Sequence, residues 1–214
     1  MKISEIFYSI QGEGSSVGIP MVFIRFGECN LRCTYCDSKY AFKGEEWPLD
    51  KVRDAVTKYP VRRVCITGGE PLLQEAELKD LLETLFDLGY FVEIETNGTL
   101  RPSTIYDNIM QWNVSPKLTN SGNDLKDSIN KDRLMLYNAL PGIFKFVIGS
   151  EEDFEEAHQL VRELKLQNIY MMPQGEKDED VKKTSLWLIE KCKEYGYYFS
   201  PRLHIWLWEG KKGV

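Results

Sequence analysis

Short apolar runs alternate along this chain with amphipathic stretches of helical period. Met21-Val22-Phe23-Ile24-Arg25-Phe26, bounded by Pro20 and Gly27, reads as a buried strand. Further strands are expected over Val61–Thr67, Tyr90–Glu95, Trp112–Val114, Phe144–Ile148 and Asn168–Met172. Between them the period changes. Pro48–Tyr59 gathers Leu49, Val52, Ala55 and Val56 on one face, and Gln74–Leu88 gathers Leu78, Leu81, Leu82, Leu85 and Leu88 before Gly89 stops it. Glu151–Leu164 aligns Phe154, Ala157, Leu160, Val161 and Leu164, with an acidic start suited to a helix N-terminus. A short helix before Trp112, another over Asp132–Leu140 and a long one over 178–195 complete the set, with residues 119–130 expected as loop.

Strand and helix in repeated succession imply parallel strands joined by crossover helices. The polar segments that follow the strands then gather at one rim, where barrel-like sheets carry their active sites. The predicted fold is α/β, a partial six-unit barrel of the TIM type with mainly parallel strands; a flavodoxin-like open sheet is the alternative. No linker or internal repeat interrupts the pattern, so residues 1–214 are expected to form one domain. Its N-terminal segment and its C-terminal tail would cover the open side. The tail is rich in apolar residues (Leu203, Ile205, Trp206, Leu207, Trp208), so it should pack on the body and turn His204 inward.

Charge and cysteine usage narrow the function. A formal charge of −6 argues against nucleic-acid binding, which needs a basic face. No apolar run reaches membrane-spanning length, and Met1–Ile6 lacks the apolar centre of a secretory signal, so a cytoplasmic location is expected. Five cysteines, three of them clustered, do not make a disulfide framework.

The clustered three are Cys29, Cys33 and Cys36, directly after the first apolar strand. A closed zinc site takes four protein ligands, whereas three thiolates on a 4Fe-4S cluster would leave one iron open to a small molecule. A zinc knuckle completed by Cys65 or a histidine remains the alternative at this point. Arg25 interrupts an apolar strand and is costly there unless it meets an anion, either a structural carboxylate or a ligand. Gly68-Gly69-Glu70-Pro71 ends the second strand. Its glycines permit close backbone approach by a ligand, and the backbone carbonyls and Glu70 could accept from a ligand ammonium.

Cys29-x3-Cys33-x2-Cys36 followed one unit later by Gly68-Gly69-Glu70 resembles the radical S-adenosylmethionine superfamily, over Val22 to about Pro173. The resemblance implies a 4Fe-4S cluster on the three cysteines and S-adenosylmethionine on its open iron, cleaved reductively to a 5′-deoxyadenosyl radical. It places Tyr35, Gly69, Glu70, Ser115, Lys117, Pro173 and Gln174 at that cofactor. Phe7-Tyr8-Ser9-Ile10-Gln11-Gly12-Glu13-Gly14, Arg25, Cys36-Asp37-Ser38 and the tail from Arg202 further resemble the 7-carboxy-7-deazaguanine synthases over nearly the whole chain. Those enzymes contract 6-carboxy-5,6,7,8-tetrahydropterin with loss of ammonia, in the biosynthesis of queuosine-type tRNA nucleosides. Ser38, where they carry threonine, would bind Mg2+. The pterin would be held by Ile10, Gln11, Gly12, Glu13, Thr67 and His204, by Arg25 at its carboxylate, and by the terminal carboxylate of Val214. Glu95 and Arg25 would be the catalytic pair. An electron donor such as flavodoxin or ferredoxin and a homodimer are implied as well. Some members carry a long insertion between the first two cysteines, which this chain lacks. A glycyl-radical-enzyme activase shares the short cysteine spacing and stands as the alternative enzyme, and a zinc-stabilised binding module as the alternative outside catalysis.

Overall fold

The structure, a computed structural model, describes residues 1–102, 111–209, 211 and 213. Among the described residues nine strands form one sheet. Six of them, β2 (Pro20–Phe26), β4 (Arg63–Gly68), β5 (Phe91–Thr96), β6 (Gln111–Val114), β7 (Gly142–Ile148) and β8 (Ile169–Pro173), lie side by side in chain order and pair in parallel. An open flavodoxin-like sheet would reverse its strand order at a switch point. No reversal occurs along these six, and the fold is a partial barrel.

Helices α1 (Leu49–Thr57), α2 (Glu75–Asp87), α4 (Lys131–Asn138), α5 (Glu151–Leu164) and α6 (Asp178–Tyr195) form the outer layer. Their boundaries follow local chemistry. Ser150 and Asp153 form a reciprocal capping box that starts α5. Gly196, in the left-handed region, ends α6. The segment 119–130, expected as loop, holds a 3-10 turn at Thr119–Ser121 and the short helix α3 (Leu125–Ser128). The short helix expected before Trp112 falls mostly on residues 103–110, outside the described residues.

Alternation along each parallel strand divides its residues between two faces. Val22, Ile24 and Phe26 face outward with Val64, Ile66, Val92, Ile94, Trp112, Val114, Phe144 and Phe146, and bury against the helices. The inward face is different. Met21, Phe23 and Cys65 make a small apolar floor with Phe7 and Ile19, and the positions above it are polar.

Both flanks of the barrel exceed the sequence expectation. The first segment is a strand, β1 (Lys2–Ile10), antiparallel to β2, with the two-residue edge strand β3 (Glu45–Glu46) beyond it. On the far side β9 (Tyr198–Phe199) extends the parallel sheet next to β8. The tail forms α7 (Leu203–Trp208). It packs less completely than its composition suggests: Ile205 is buried, but Trp206 is 68% and Leu207 47% exposed. A helix this short presents only one face to the body, and Ile205 takes it. Among the described residues no helix is long and apolar enough to cross a membrane.

Candidate active site

A cavity of about 1220 Å³ opens at the C-terminal rim of the parallel strands. The loop after β2 supplies one wall. Cys29, Cys33 and Cys36 all line the cavity, and none is in a disulfide. The backbone N–H of Leu31 donates to Cys29 Sγ at 3.4 Å, and Asn123 Nδ2 donates to Cys33 Sγ at 3.2 Å. Cys36 Sγ lies 3.7 Å from Ser38 Oγ. Burial raises the Cys29 thiol above its ordinary value. Three thiols on one wall, two of them met by N–H donors, suit a cluster whose sulfur ligands accept such bonds. Among the described residues no three Cys, His, Asp or Glu side chains converge as ligands of a single ion would. Cys65 and Cys192 are buried elsewhere, on β4 and α6.

The glycine turn after β4 forms the adjoining wall. A Cβ on Gly69 would lie 1.6 Å from the Glu28 carbonyl oxygen, and one on Gly68, at φ +135, would lie 2.2 Å from the Phe26 carbonyl oxygen, so neither position accepts another residue without moving the backbone beside it. Glu70 departs from the expectation that its side chain meets a ligand ammonium. It is fully buried and is not part of the cavity wall. Its carboxylate accepts from Leu72 N at 3.2 Å, Thr96 Oγ1 at 2.9 Å and Asn97 N at 2.7 Å, which ties the turn to the end of β5. Burial pushes its pKa up to about 6, against those three donors. The backbone of Gly68 and Gly69 is what reaches the cavity.

Inward residues of successive strands build the floor. Arg25 donates through Nε to Glu5 Oε1 at 2.7 Å, and among the described residues its two terminal nitrogens make no protein hydrogen bond. Thr67 Oγ1 donates to Glu95 Oε2 at 2.9 Å. Lys145, unremarked in the sequence, donates to Glu13 Oε2 at 2.5 Å and stands 3.5 Å from Glu95 Oε1. Arg202 bonds Glu13 at 3.3 Å, Asp37 at 2.5 Å and the Gly175 carbonyl. His204 Nε2 is 3.7 Å from Glu13 Oε1. Burial opposes the charge on Glu13, but Lys145, Arg202 and His204 outweigh it and hold the carboxyl well below the usual range. Burial also opposes the charge on Lys145, and Glu13 with Glu95 keeps it protonated. His204 is lowered, chiefly by burial.

The residues expected at the substrate separate in this frame. Gln11 Nε2 donates to Glu95 Oε1 at 3.4 Å and to Glu93 Oε1 at 2.7 Å, a buried carboxylate that also accepts from Ser16 at 2.7 Å. Glu13 pairs its carboxylate with Lys145 and Arg202, and both Gln11 and Glu13 line the cavity. Gly12 lets the tail close: a Cβ there would meet His204 Nδ1 at 2.2 Å, and its carbonyl accepts from Leu203 N at 3.0 Å. Ile10, Tyr35, Ser38, Ser115, Lys117 and Gln174 line the cavity, with Lys117 Nζ donating to Ser115 Oγ at 2.6 Å. Pro173 ends β8 just before that wall, and Val214 lies outside the described residues. Sequence reasoning missed Lys145, Arg202, Glu93 and Asn113. The signal for three of them was the one used for Arg25: a polar residue interrupting an apolar strand.

Comparison with known proteins agrees with this geometry. Residues 23–188 match the family model of the radical SAM superfamily. A protein of Rhodopirellula baltica named 7-carboxy-7-deazaguanine synthase is 34% identical, with 99% of this chain and 88% of that protein covered. One of the same name from Pyrobaculum aerophilum is 34% identical, covering 100% of this chain and 97% of its own. The crystal structure of QueE from Escherichia coli superposes with a TM-score of 0.75 at 25% identity, covering 95% of this chain and 94% of that one. With that coverage, and with a cysteine loop, a glycine turn and a strand-borne arginine around one cavity, the chain belongs to the radical S-adenosylmethionine superfamily and, within it, to the 7-carboxy-7-deazaguanine synthases.

Proposed function

We propose that this enzyme converts 6-carboxy-5,6,7,8-tetrahydropterin to 7-carboxy-7-deazaguanine with loss of ammonia. The observation that carries the reading is Arg25. It stands on the inner face of β2, anchored to Glu5 through one nitrogen, with its outer fork turned to the cavity that also receives the three cysteines. A planar fork in that place suits a substrate carboxylate by two parallel bonds.

When bound, the 4Fe-4S cluster on Cys29, Cys33 and Cys36 and its S-adenosylmethionine supply the hydrogen-atom abstraction that opens the rearrangement. The residues of the chain bind, orient and exclude water. Gly68 and Gly69 bring bare backbone to the methionine end, and Ser115, Lys117, Pro173 and Gln174 are assigned to the same cofactor beside Tyr35. Thr67 fixes Glu95, whose remaining lone pairs can accept from the ring N–H groups of the pterin. The Gly12 backbone and His204 meet across the mouth and shield the floor. Ser38 is assigned to Mg2+ through its hydroxyl, and the Val214 carboxylate to the polar edge of the substrate. Family resemblance supports a homodimer and a flavodoxin- or ferredoxin-type electron donor; the acidic net charge supports a small-molecule substrate over nucleic acid and fits a cytoplasmic enzyme.

Anaerobic reconstitution followed by incubation with 6-carboxytetrahydropterin, S-adenosylmethionine, Mg2+ and a reductant tests the reading. The expected result is 7-carboxy-7-deazaguanine with ammonia in equal amount. An intact, S-adenosylmethionine-binding cluster protein that leaves the pterin unchanged would contradict it.

A further inference from the structure

The loop that carries the three cysteines is held from outside by the turn at residues 119–123. The peptide N–H groups of both residues flanking Cys33 reach it. Arg32 N donates to Asn123 Oδ1 at 2.9 Å, and Thr34 N donates to the Ser121 carbonyl at 2.9 Å. Gly122, at φ +74, lets the turn come this close, since a Cβ there would lie 2.6 Å from Thr34 Cγ2. The turn is itself anchored to the barrel. Asn120 Nδ2 donates to the Val147 carbonyl at 2.9 Å, and Thr119 N donates to Glu156 of α5 at 3.0 Å.

Between those two backbone bonds, Cys33 Sγ accepts from Asn123 Nδ2 at 3.2 Å. Chemistry fixes the orientation of this amide. A peptide N–H can only donate, so the atom that Arg32 N meets is the amide oxygen, and the amide nitrogen faces the sulfur. The same nitrogen also donates to Ser121 Oγ at 3.1 Å, which leaves the side chain one orientation. Cys33 is 9% exposed, so little water competes for its sulfur. Cys29 accepts instead from a backbone N–H, that of Leu31. At Cys33 the donor is a side chain, and so it is open to substitution.

We propose that Asn123 keeps its bond to the Cys33 sulfur when the 4Fe-4S cluster is bound and thereby raises the cluster's reduction potential. The inference rests on the assignment of the cluster to Cys29, Cys33 and Cys36, and it is independent of the pterin reading. The reasoning is electrostatic. Reduction adds one negative charge to the cluster, and its sulfur ligands share that charge. An N–H aimed at one of those sulfurs stabilises the reduced form more than the oxidised form. A higher potential lets a milder electron donor reduce the cluster. Asn123 touches no reacting atom; it is a positioning residue that acts through Cys33.

Two measurements on anaerobically reconstituted protein test this, and neither reads turnover. In the first, protein carrying asparagine labelled with nitrogen-15 at the side-chain amide is reduced with dithionite, and pulsed EPR detects coupling of the label to the cluster. The wild type should show the coupling, and Asn123→Ala should lose it. In the second, the midpoint potential is read by EPR-monitored titration. Asn123→Ala should shift the redox equilibrium toward the oxidised form on the order of tenfold, a potential lower by about 59 mV for one electron. Asn123→Asp keeps the oxygen that holds Arg32 N but replaces the donor with a negative charge, so its potential should lie lower still. A loaded wild type without the coupling would overturn the inference even if neither variant held iron. Loaded variants with the wild-type potential would overturn it as well. A wild type that takes up no iron and sulfide would overturn the cluster assignment, and this inference with it.

Discussion

The two walls of the cavity are built in opposite ways. The cluster wall comes from contiguous sequence: three cysteines and Ser38 fall within ten residues of one loop, Cys29 to Ser38. The floor comes from single residues on separate strands and on the tail. Its ion pairs Lys145–Glu13 and Arg202–Glu13 join positions 132 and 189 residues apart. The loop wall needs an inorganic object to organise its thiols, whereas the floor holds itself together with charge. Chemistry on the first should fail by losing its cofactor, and chemistry on the second by losing fit and stability.

Removing a loop thiol should have the largest effect. Alanine at Cys29, Cys33 or Cys36 is expected to abolish both iron retention and turnover. Cys65→Ala, on the apolar floor, should keep both. Iron and sulfide analysis of the four variants checks this, and loss of the cluster from folded Cys65→Ala would break the separation of the walls.

Lys145→Met should come next. It leaves the carboxylates of Glu13 and Glu95 facing each other without their shared cation, a cost of about 3–5 kcal/mol for breaking a buried pair. Thermal unfolding should shift down markedly while the purified protein still binds iron. A Tm within error of wild type would show that the floor does not depend on its charge network.

Arg25→Lys should sharpen the contrast. The charge stays, but the planar fork is lost, at about 1.5–3 kcal/mol for a charge-assisted contact. Pterin affinity should fall roughly 10- to 100-fold with S-adenosylmethionine affinity unchanged. Equal affinity would reduce Arg25 to the structural partner of Glu5.

Glu70 sits where the walls meet, and its prediction concerns pH. Its pKa rises from 4.5 to about 6 on folding. The native state therefore binds this proton more tightly than the unfolded chain. Stability from the group is fully present below about pH 4.5 and is lost as pH rises through 6, by about 2 kcal/mol in total. Glu70→Gln cannot ionise, so its stability relative to wild type should improve by about that amount from pH 4.5 to 6.5. Parallel denaturation curves at the two pH values would place Glu70 outside this titration.

Ser38→Ala should produce the smallest change: a weaker dependence of turnover on Mg2+, with the cluster unaffected. A superimposable magnesium titration would remove Ser38 from the metal.

How much of this was legible in the sequence follows the same division. The loop wall was legible because ligand spacing is local and cluster chemistry demands it. The barrel was legible because apolar runs and helical periods alternate without a break. The flanks were less so. β9 has two residues, too few for any pattern, and β1 mixes polar and apolar positions because only part of it is covered. For the floor, period two inside the strands held the signal: Glu93 and Glu95, Asn113 and Lys145 break apolar runs on the inward phase. Their partners were hidden, because register across strands and the return of the tail decide them. Glu70 shows the converse. Its motif marks the right turn, but only the fold reveals that its carboxylate is spent on Thr96 and Asn97.

The central claim is that one cavity brings a substrate carbon to a cofactor on the cysteine wall while Arg25 holds the substrate from the floor. The most direct measurement is isotope transfer. Anaerobic enzyme is given S-adenosylmethionine, reductant and 6-carboxytetrahydropterin deuterated on its reduced ring carbons, and the 5′-deoxyadenosine formed is analysed by mass. The account predicts deuterium in that product for the wild type, with transfer sharply reduced in Arg25→Lys at subsaturating pterin. Unlabelled 5′-deoxyadenosine from a wild-type enzyme that still consumes S-adenosylmethionine would contradict it.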